Sequence, residues 1–339
     1  MRRLVYRIAK AGSIKNLKLI EEEIPTLKEN EVSIEVHSIG LNFADIFAIT
    51  GLYSATPKES FIPGLEFSGK IIQTGKSVKK WKSGEKVMGV TRFGAYSTHL
   101  NVDEKYIRKL PKNWDYFEGS AFLTQSLTAY YALLPLGNLK KGDTVLIHSA
   151  AGGVGIFANR IAKKFGVYTI GTIGDESKSD FLKSEGYDDI IVRDKHFSEN
   201  IRNAVGKRKL NLVLDSIGGS IFQKSYEALS PTGRIVTYGS ANFTPKRSRP
   251  NYLAVIKNYF LRPKIDPLQI ISENKSVLGF NLIWLWEEID TLGNLLNEVQ
   301  NLKLEPQYIG KIFPFKETIN ALNYFQSGKS IGKIVLSVD

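Results

Sequence analysis

The residues best equipped for chemistry form the run His148-Ser149-Ala150-Ala151-Gly152-Gly153-Val154-Gly155. An apolar stretch, Thr144-Val145-Leu146-Ile147, precedes it, and a segment of helical periodicity, Phe157 to Phe165, follows. The pattern is G-x-G-x-x-G with Ala150 in the first glycine position, set between strand and helix, the context in which it marks a dinucleotide fingerprint. Gly152 lets the backbone approach a diphosphate, and Gly155 lets the helix pack closely on the strand. The turn Ala151-Gly152-Gly153-Val154 then turns backbone N–H groups toward the phosphates, with the helix dipole favouring their charge. An NAD-type site places an acid about 20 residues downstream for the ribose 2′-hydroxyl, which makes Asp175 or Glu176 a candidate. The strand reads as ending at Thr172, however, with no acid at its tip, while Lys178 and Arg193 lie just beyond the second and third strands, where cations can grip a 2′-phosphate. These residues alone leave both nucleotides open. The four histidines, His37, His99, His148 and His196, have neither triad-like nor metal-like spacing, and His148, at a strand end, reads as structural.

The elements that must position this run come in two rhythms. Up to about residue 110 the chain reads as short strands and turns. Glu31-Val32-Ser33-Ile34-Glu35-Val36-His37 alternates polar and apolar residues, and Gly64, Gly69, Gly75, Gly84, Gly89 and Gly94 punctuate β-branched runs. That spacing predicts a compact, mainly antiparallel barrel-like domain with one helix at Phe43 to Thr50. From about Ser120 strands alternate with helices: strands at 144–148, 167–172, 190–192, 212–214 and 235–238, with helices after the first two and at 222–229. Such repeats predict a parallel, doubly wound sheet. The tail mixes a helix, Glu287 to Leu302, with a terminal strand, Lys333 to Leu336. A C-terminal return to the first domain would complete the barrel.

Composition narrows the class further. The chain has 339 residues, 42% of them hydrophobic and 24% charged, the balance of a folded globular protein. It contains no cysteine, which excludes disulfides, thiolate zinc sites and cysteine nucleophiles. Its formal charge of +12 attracts polyanions in general, but basic and acidic residues are interspersed, so a nucleic-acid groove is not expected. Met1-Arg2-Arg3 leads into mixed polar sequence, and the apolar stretch Val277 to Trp286 is well short of the roughly 20 residues of a membrane span; the expected location is cytoplasmic. Lys246-Arg247-Ser248-Arg249 beside the aromatic-rich Tyr252 to Phe260 could form a basic, apolar membrane-contact loop, although packing within a subdomain is the simpler expectation for that stretch.

Several blocks carry a family resemblance that covers essentially the whole chain. They are Gly40-Leu41-Asn42-Phe43-Ala44-Asp45 with Gly51-Leu52-Tyr53, Pro63-Gly64-Leu65-Glu66-Phe67-Ser68-Gly69, Ala150 to Gly155, Asp215-Ser216-Ile217-Gly218-Gly219, Gly233 to Gly239, Pro245-Lys246-Arg247, Gly279-Phe280 and Gly332-Lys333-Ile334-Val335. With these the chain resembles the zinc-free quinone oxidoreductase branch of the medium-chain dehydrogenase/reductases, and within it the vesicle amine transport protein type. The resemblance implies an α/β protein with a GroES-like catalytic domain, residues 1–123 and 259–339, and a Rossmann domain, 124–258, with NADPH in the cleft between them and a homodimer as the assembly. Asn42 and Leu65 stand where zinc-dependent relatives carry Cys and His, although Glu66 persists; asparagine and leucine are not the N/S ligands zinc prefers, so no metal is expected. Position by position, the resemblance puts Asn42 near the nicotinamide carboxamide and Thr128 beside the nicotinamide, where a helix-cap role is the plainer alternative. It puts Lys178 on the 2′-phosphate. By the same resemblance, Gly239 and Phe280 match loops that enclose the nicotinamide end, and Lys333 a C-terminal segment that returns to it. Arg193 replaces a tyrosine common after the third strand, adding a phosphate clamp in place of adenine stacking. Without a metal, quinones and α,β-unsaturated carbonyls are the accessible acceptors, with Tyr53, or failing it Asn42, as hydrogen-bond donor to the developing oxyanion, although Tyr53 as a wall of the pocket is the simpler expectation. Phe47 stands where the branch often has a tyrosine. The alternative is a weakly active or non-catalytic dinucleotide-fold protein that binds lipid or membrane surfaces.

Overall fold

The computed structural model describes residues 1–245 and 247–338, so the role suggested for Lys246 lies outside the described residues. Strand Glu31–Gly40, the alternating segment of the sequence, is the hub of a seven-stranded sheet. It pairs antiparallel with Glu66–Thr74, with His99–Asp103 and, at its far end, with Lys333–Ser337. Lys86–Val90 and Ile107–Lys109 extend the sheet on one side, and Ile309–Pro314 lies parallel to Lys333–Ser337 on the other. The hairpin of Arg2–Ile8 and Leu17–Glu23 adds Val5, Ile8 and Leu17 to the same apolar core as Ile34, Phe67 and Leu336. The C-terminal strand thus rejoins the first domain, as expected, and sets Lys333 beside the Gly40–Asn42 corner. Only glycine fits at that corner, because a side chain on Gly40 would stand 2.0 Å from the Ser120 carbonyl and 2.8 Å from Lys333 Cε. Helix Phe43–Thr50 begins directly after it.

The second sheet is parallel throughout. Its order is Asp189–Val192, Tyr168–Ile173, Thr144–Ile147, Leu212–Asp215, Arg234–Thr237 and Ser276–Gly279. The chain reverses its direction of growth between Thr144–Ile147 and Leu212–Asp215. In an open α/β sheet, ligands bind beyond the carboxyl ends of the strands at that switch point. Helix Gly153–Lys164 leaves the first of these ends and buries Phe157, Ala158 and Ile161 in the same apolar core as Val145 and Ile147 of the sheet.

Two expectations are corrected here. The sixth strand of the parallel sheet, Ser276–Gly279, lies past the boundary expected at residue 258, so the dinucleotide-type sheet takes its last strand from the segment assigned to the catalytic domain. The stretch Tyr252 to Phe260 was expected to pack within a subdomain. It forms a helix that buries no residue: Leu253 is 80% and Phe260 74% exposed. The next helix, Pro267–Glu273, also buries none. These two exposed helices occupy the stretch between Thr237 and Ser276, the last two strands of the parallel sheet. Among the described residues, no helix is long and apolar enough to cross a membrane.

Candidate functional site

A cleft runs between the two sheets, its floor made by the turn after Ile147. Ser149 takes a positive φ of 53° to make that turn, and its hydroxyl accepts from Ser216 Oγ at 2.9 Å. Gly155 is held so close to the turn that a Cβ there would lie 2.6 Å from the Ala150 carbonyl. Gly152 is different: the only atom a Cβ would approach is the Ser149 carbonyl, at 3.1 Å. A Cβ there would press on that one carbonyl and meet nothing else within 4 Å. Helix Gly153–Lys164 starts there with no side-chain cap and no acid in its first turn, so its uncapped N–H groups and positive dipole end are matched to a diphosphate. The residues present fit a dinucleotide. On the opposite side Gly332 N donates to Ala151 O at 2.9 Å, joining the turn to the C-terminal segment.

Beyond strand Tyr168–Ile173 the two acids weighed for a ribose contact are engaged locally. Asp175 accepts from Ser177 N at 2.9 Å and Glu176 from Ser179 Oγ at 3.0 Å. The two cations instead donate to neutral oxygens. Lys178 Nζ bonds the Gly328 and Ser330 carbonyls at 2.6 and 2.9 Å, and the Arg193 guanidinium bonds Thr172 Oγ1 at 2.9 Å. Burial lowers the Lys178 pKa, with the Asp175 charge opposing the shift and that of Arg193 adding to it; burial likewise lowers that of Arg193. Both groups are thus partly desolvated cations. His148 is structural, as expected: its ring nitrogens meet Thr172 Oγ1 and Ser225 Oγ at 2.8 and 2.9 Å, and burial drives its pKa down to about 3, which keeps it neutral.

At the other end of the cleft lies a buried polar network. Lys333, 2% exposed, donates to Glu66 Oε2 at 2.9 Å and to Asn42 Oδ1 at 3.1 Å. Glu66, fully buried, also accepts from Thr124 N at 2.9 Å. Gln125 Nε2 donates to the same Asn42 oxygen, and Asn42 Nδ2 donates to Gly40 O at 3.1 Å. Lys333 was expected on a segment that returns to the nicotinamide end; it lines the cleft, but its ammonium is held in this ion pair. Asp45 accepts from Asn42 N at 2.8 Å and from Tyr96 Oη at 3.1 Å, and burial pushes its pKa up to about 7. Asn42, Leu65 and Glu66 therefore sit together, with an ammonium bridging two of them. Among the described residues, no group of three or more His, Asp or Glu side chains is placed to hold a metal ion.

The remaining expected residues are distributed as follows. Gly239 and Phe280 line the cleft, with Phe280 edge-on to Tyr131 at 5.0 Å. Thr128 lines it too, in the middle of helix Leu123–Tyr131 rather than at its cap, and its hydroxyl donates to Thr124 O at 2.7 Å. Tyr53 is turned away from the expected donor role. Its hydroxyl bonds Asn281 Oδ1 at 2.7 Å, and burial raises its pKa to about 12. Sequence reasoning missed Gln125 and Asn281. Gln125 precedes Thr128 by three residues, hence on the same helical face, which was the available signal; nothing local marks Asn281.

The chain matches the family model of the alcohol dehydrogenase GroES-like domain over residues 28–112 and that of zinc-binding dehydrogenases over 153–298. It is 32% identical to the synaptic vesicle membrane protein VAT-1 homolog of Danio rerio, over 97% of this chain and 68% of that protein. Among solved structures, CurK enoyl reductase superposes with a TM-score of 0.83 at 28% identity, covering 99% of both chains. The quinone oxidoreductase from Coxiella burnetii does so with a TM-score of 0.76 at 25% identity, covering 100% of both. With the GroES-like sheet, the parallel dinucleotide-type sheet and the glycine turn between them, the chain belongs to the medium-chain dehydrogenase/reductase superfamily of oxidoreductases, in its zinc-free quinone oxidoreductase branch close to the VAT-1 homologues.

Proposed function

We propose that the protein is a zinc-independent, NADPH-dependent reductase of quinones or α,β-unsaturated carbonyl compounds. The observation that carries this reading is the uncapped start of helix Gly153–Lys164 opening onto an apolar cleft, with Lys178 and Arg193 beyond the neighbouring strand. When bound, NADPH supplies the hydride. The Ala151–Val154 turn would hold the diphosphate, and Lys178 and Arg193 the 2′-phosphate, exchanging their neutral oxygen partners for a dianion that forms stronger, charge-assisted bonds. Phe280, Leu65, Phe47 and Leu127 wall the cleft and would exclude water around a planar, apolar acceptor. With the Tyr53 proton directed to Asn281, Asn42 is the better-placed donor, and Tyr53 would serve as a wall that ties the two sides of the cleft together.

The test is steady-state oxidation of NADPH and NADH against a panel of quinones and enones. The wild type is expected to turn over with NADPH, and Lys178→Ala to raise the KM for NADPH at least tenfold while leaving that for NADH nearly unchanged. Equal changes for both nucleotides would remove Lys178 from the phosphate site. Turnover at background with every acceptor would remove the reductase reading. A second reading, a dinucleotide-fold protein that docks on lipid or membrane surfaces, is favoured by one observation: Leu253, Phe260, Leu261, Leu268 and Ile271 are each at least 69% exposed, and Arg247 and Arg249 lie just before them in the chain.

A further inference from the structure

A second set of charges lies outside the cleft and takes no part in the nucleotide reading. Arg247, Ser248 and Arg249 line a surface hollow together with Lys15, Asn323 and Gln326. The hollow shares no lining residue with the cleft. Helix Thr318–Gln326 stands between the two, with Asn323 and Gln326 on the hollow and Phe325 on the cleft. Lys15 and Arg247 are 232 positions apart in the chain, so it is the fold that brings these cations to one place. No carboxylate lines the hollow, and among the described residues none of the three charged heads has an ion-pair or hydrogen-bond partner. The Ser248 hydroxyl and the Asn323 amide are equally without side-chain partners there and add neutral donors.

The backbone that presents these groups is braced from two sides. Ile14 N donates to Ser248 O at 3.0 Å. Gln326 Nε2 gives its N–H groups to Pro245 O and Arg247 O, both at 3.0 Å. Pro245 and Pro250, at the two ends of the loop, are buried. Lys15 N donates to Ser13 Oγ at 3.2 Å, which fixes the short turn that carries the third cation. All of these bonds hold main chain and leave the charged heads unspent. Like charges held in one place repel each other and attract a counter-anion, and a frame that is already ordered lowers the entropy lost on binding it.

We propose that this hollow is a binding site for a phosphate monoester, held by Arg247, Arg249 and Lys15. The planar guanidinium forks match pairs of phosphate oxygens, and the ammonium supplies a point charge. A monoester carries about −1.5 to −2 at neutral pH, so it offsets three cations better than a carboxylate does. The group can belong to a soluble ester or to a lipid headgroup. The second source would also engage the exposed helix Tyr252–Phe260, which begins three residues after Arg249.

Calorimetric titration with glycerol 3-phosphate at low ionic strength reads the soluble source. Sedimentation with phosphatidylcholine vesicles containing phosphatidic acid reads the lipid one. Glycerol 3-phosphate should bind saturably, and Arg247→Ser with Arg249→Ser should weaken it at least about tenfold through the loss of charge-assisted bonds. Both arginines are exposed, so the melting temperature should stay at the wild-type value. Lys178→Ala, which alters the cleft, should leave this binding unchanged. Lys207→Ser with Lys209→Ser removes the same charge from another exposed stretch and should change it less than about twofold if the attraction is local and not a net-charge effect. Sedimentation that is lost in the arginine variant assigns the phosphate to a lipid; binding of the soluble ester without sedimentation assigns it to a soluble ligand. The site is overturned by absence of saturable glycerol 3-phosphate binding, by an equal loss in the lysine control, or by a loss confined to Lys178→Ala. Sedimentation with vesicles in the absence of soluble-ester binding overturns it as well, since a basic surface alone would do that.

Discussion

Asp45 shows how much the burial of one carboxyl changes the behaviour of a site residue. Its pKa is pushed up to about 7 by burial, against a usual value near 3.9 in an unfolded chain. Between those values the unfolded chain releases its proton while the folded chain keeps it, so the Asp45 contribution to stability falls as pH rises from about 4 to 7 and levels off above. Asp45→Asn keeps an oxygen to accept from Asn42 N and Tyr96 Oη but has no proton to lose. The melting temperature of the variant minus that of the wild type should therefore rise by several degrees between pH 5 and pH 8. A difference constant across that range would show that Asp45 does not titrate there. Legibility at this scale was uneven. Asn42, Lys178 and Arg193 stood out as candidates because their residue types already named a chemistry. Gln125 did not, because its place in the buried network depends on a donor-only neighbour that lies 208 positions further along the chain, at Lys333. Tyr53 lines the cleft, and whether it is wall or donor could not be read from the sequence, because the partner of its proton, Asn281, lies 228 positions away.

At the scale of elements, the parts governed by strong periodicity were legible. The strand at Thr144, the glycine helix and the return of the C-terminal strand all follow from apolar runs and turn residues that bury one face. The helices Tyr252–Phe260 and Pro267–Glu273 were not, because neither buries a face in the described chain, and with them the last parallel strand was lost to the wrong domain. Their exposure leads to a direct expectation. Replacing Leu253 and Phe260 together by serine should leave the melting temperature within about 2 °C of wild type, because surface substitutions away from packed features cost little. If the second functional reading holds, the same variant should no longer sediment with anionic liposomes. A loss of more than about 5 °C would mean that the two helices are packed in solution.

For the whole molecule, the segment from Gly328 to Lys333 ties the proposed site together. Its carbonyls hold Lys178, its Gly332 N–H holds the Ala151 carbonyl, and its Lys333 sets the Asn42 amide. One short stretch of chain thus contacts residues of both sheets along the cleft, and a dinucleotide laid along it would run past all three points. Changes at either end of the cleft should consequently be felt along its length. Calorimetric titration of the wild-type protein with NADPH and with NADH tests the nucleotide site itself most directly. The expected result is saturable binding of NADPH, at least tenfold tighter than NADH; no heat of binding from either nucleotide at millimolar concentration would contradict it.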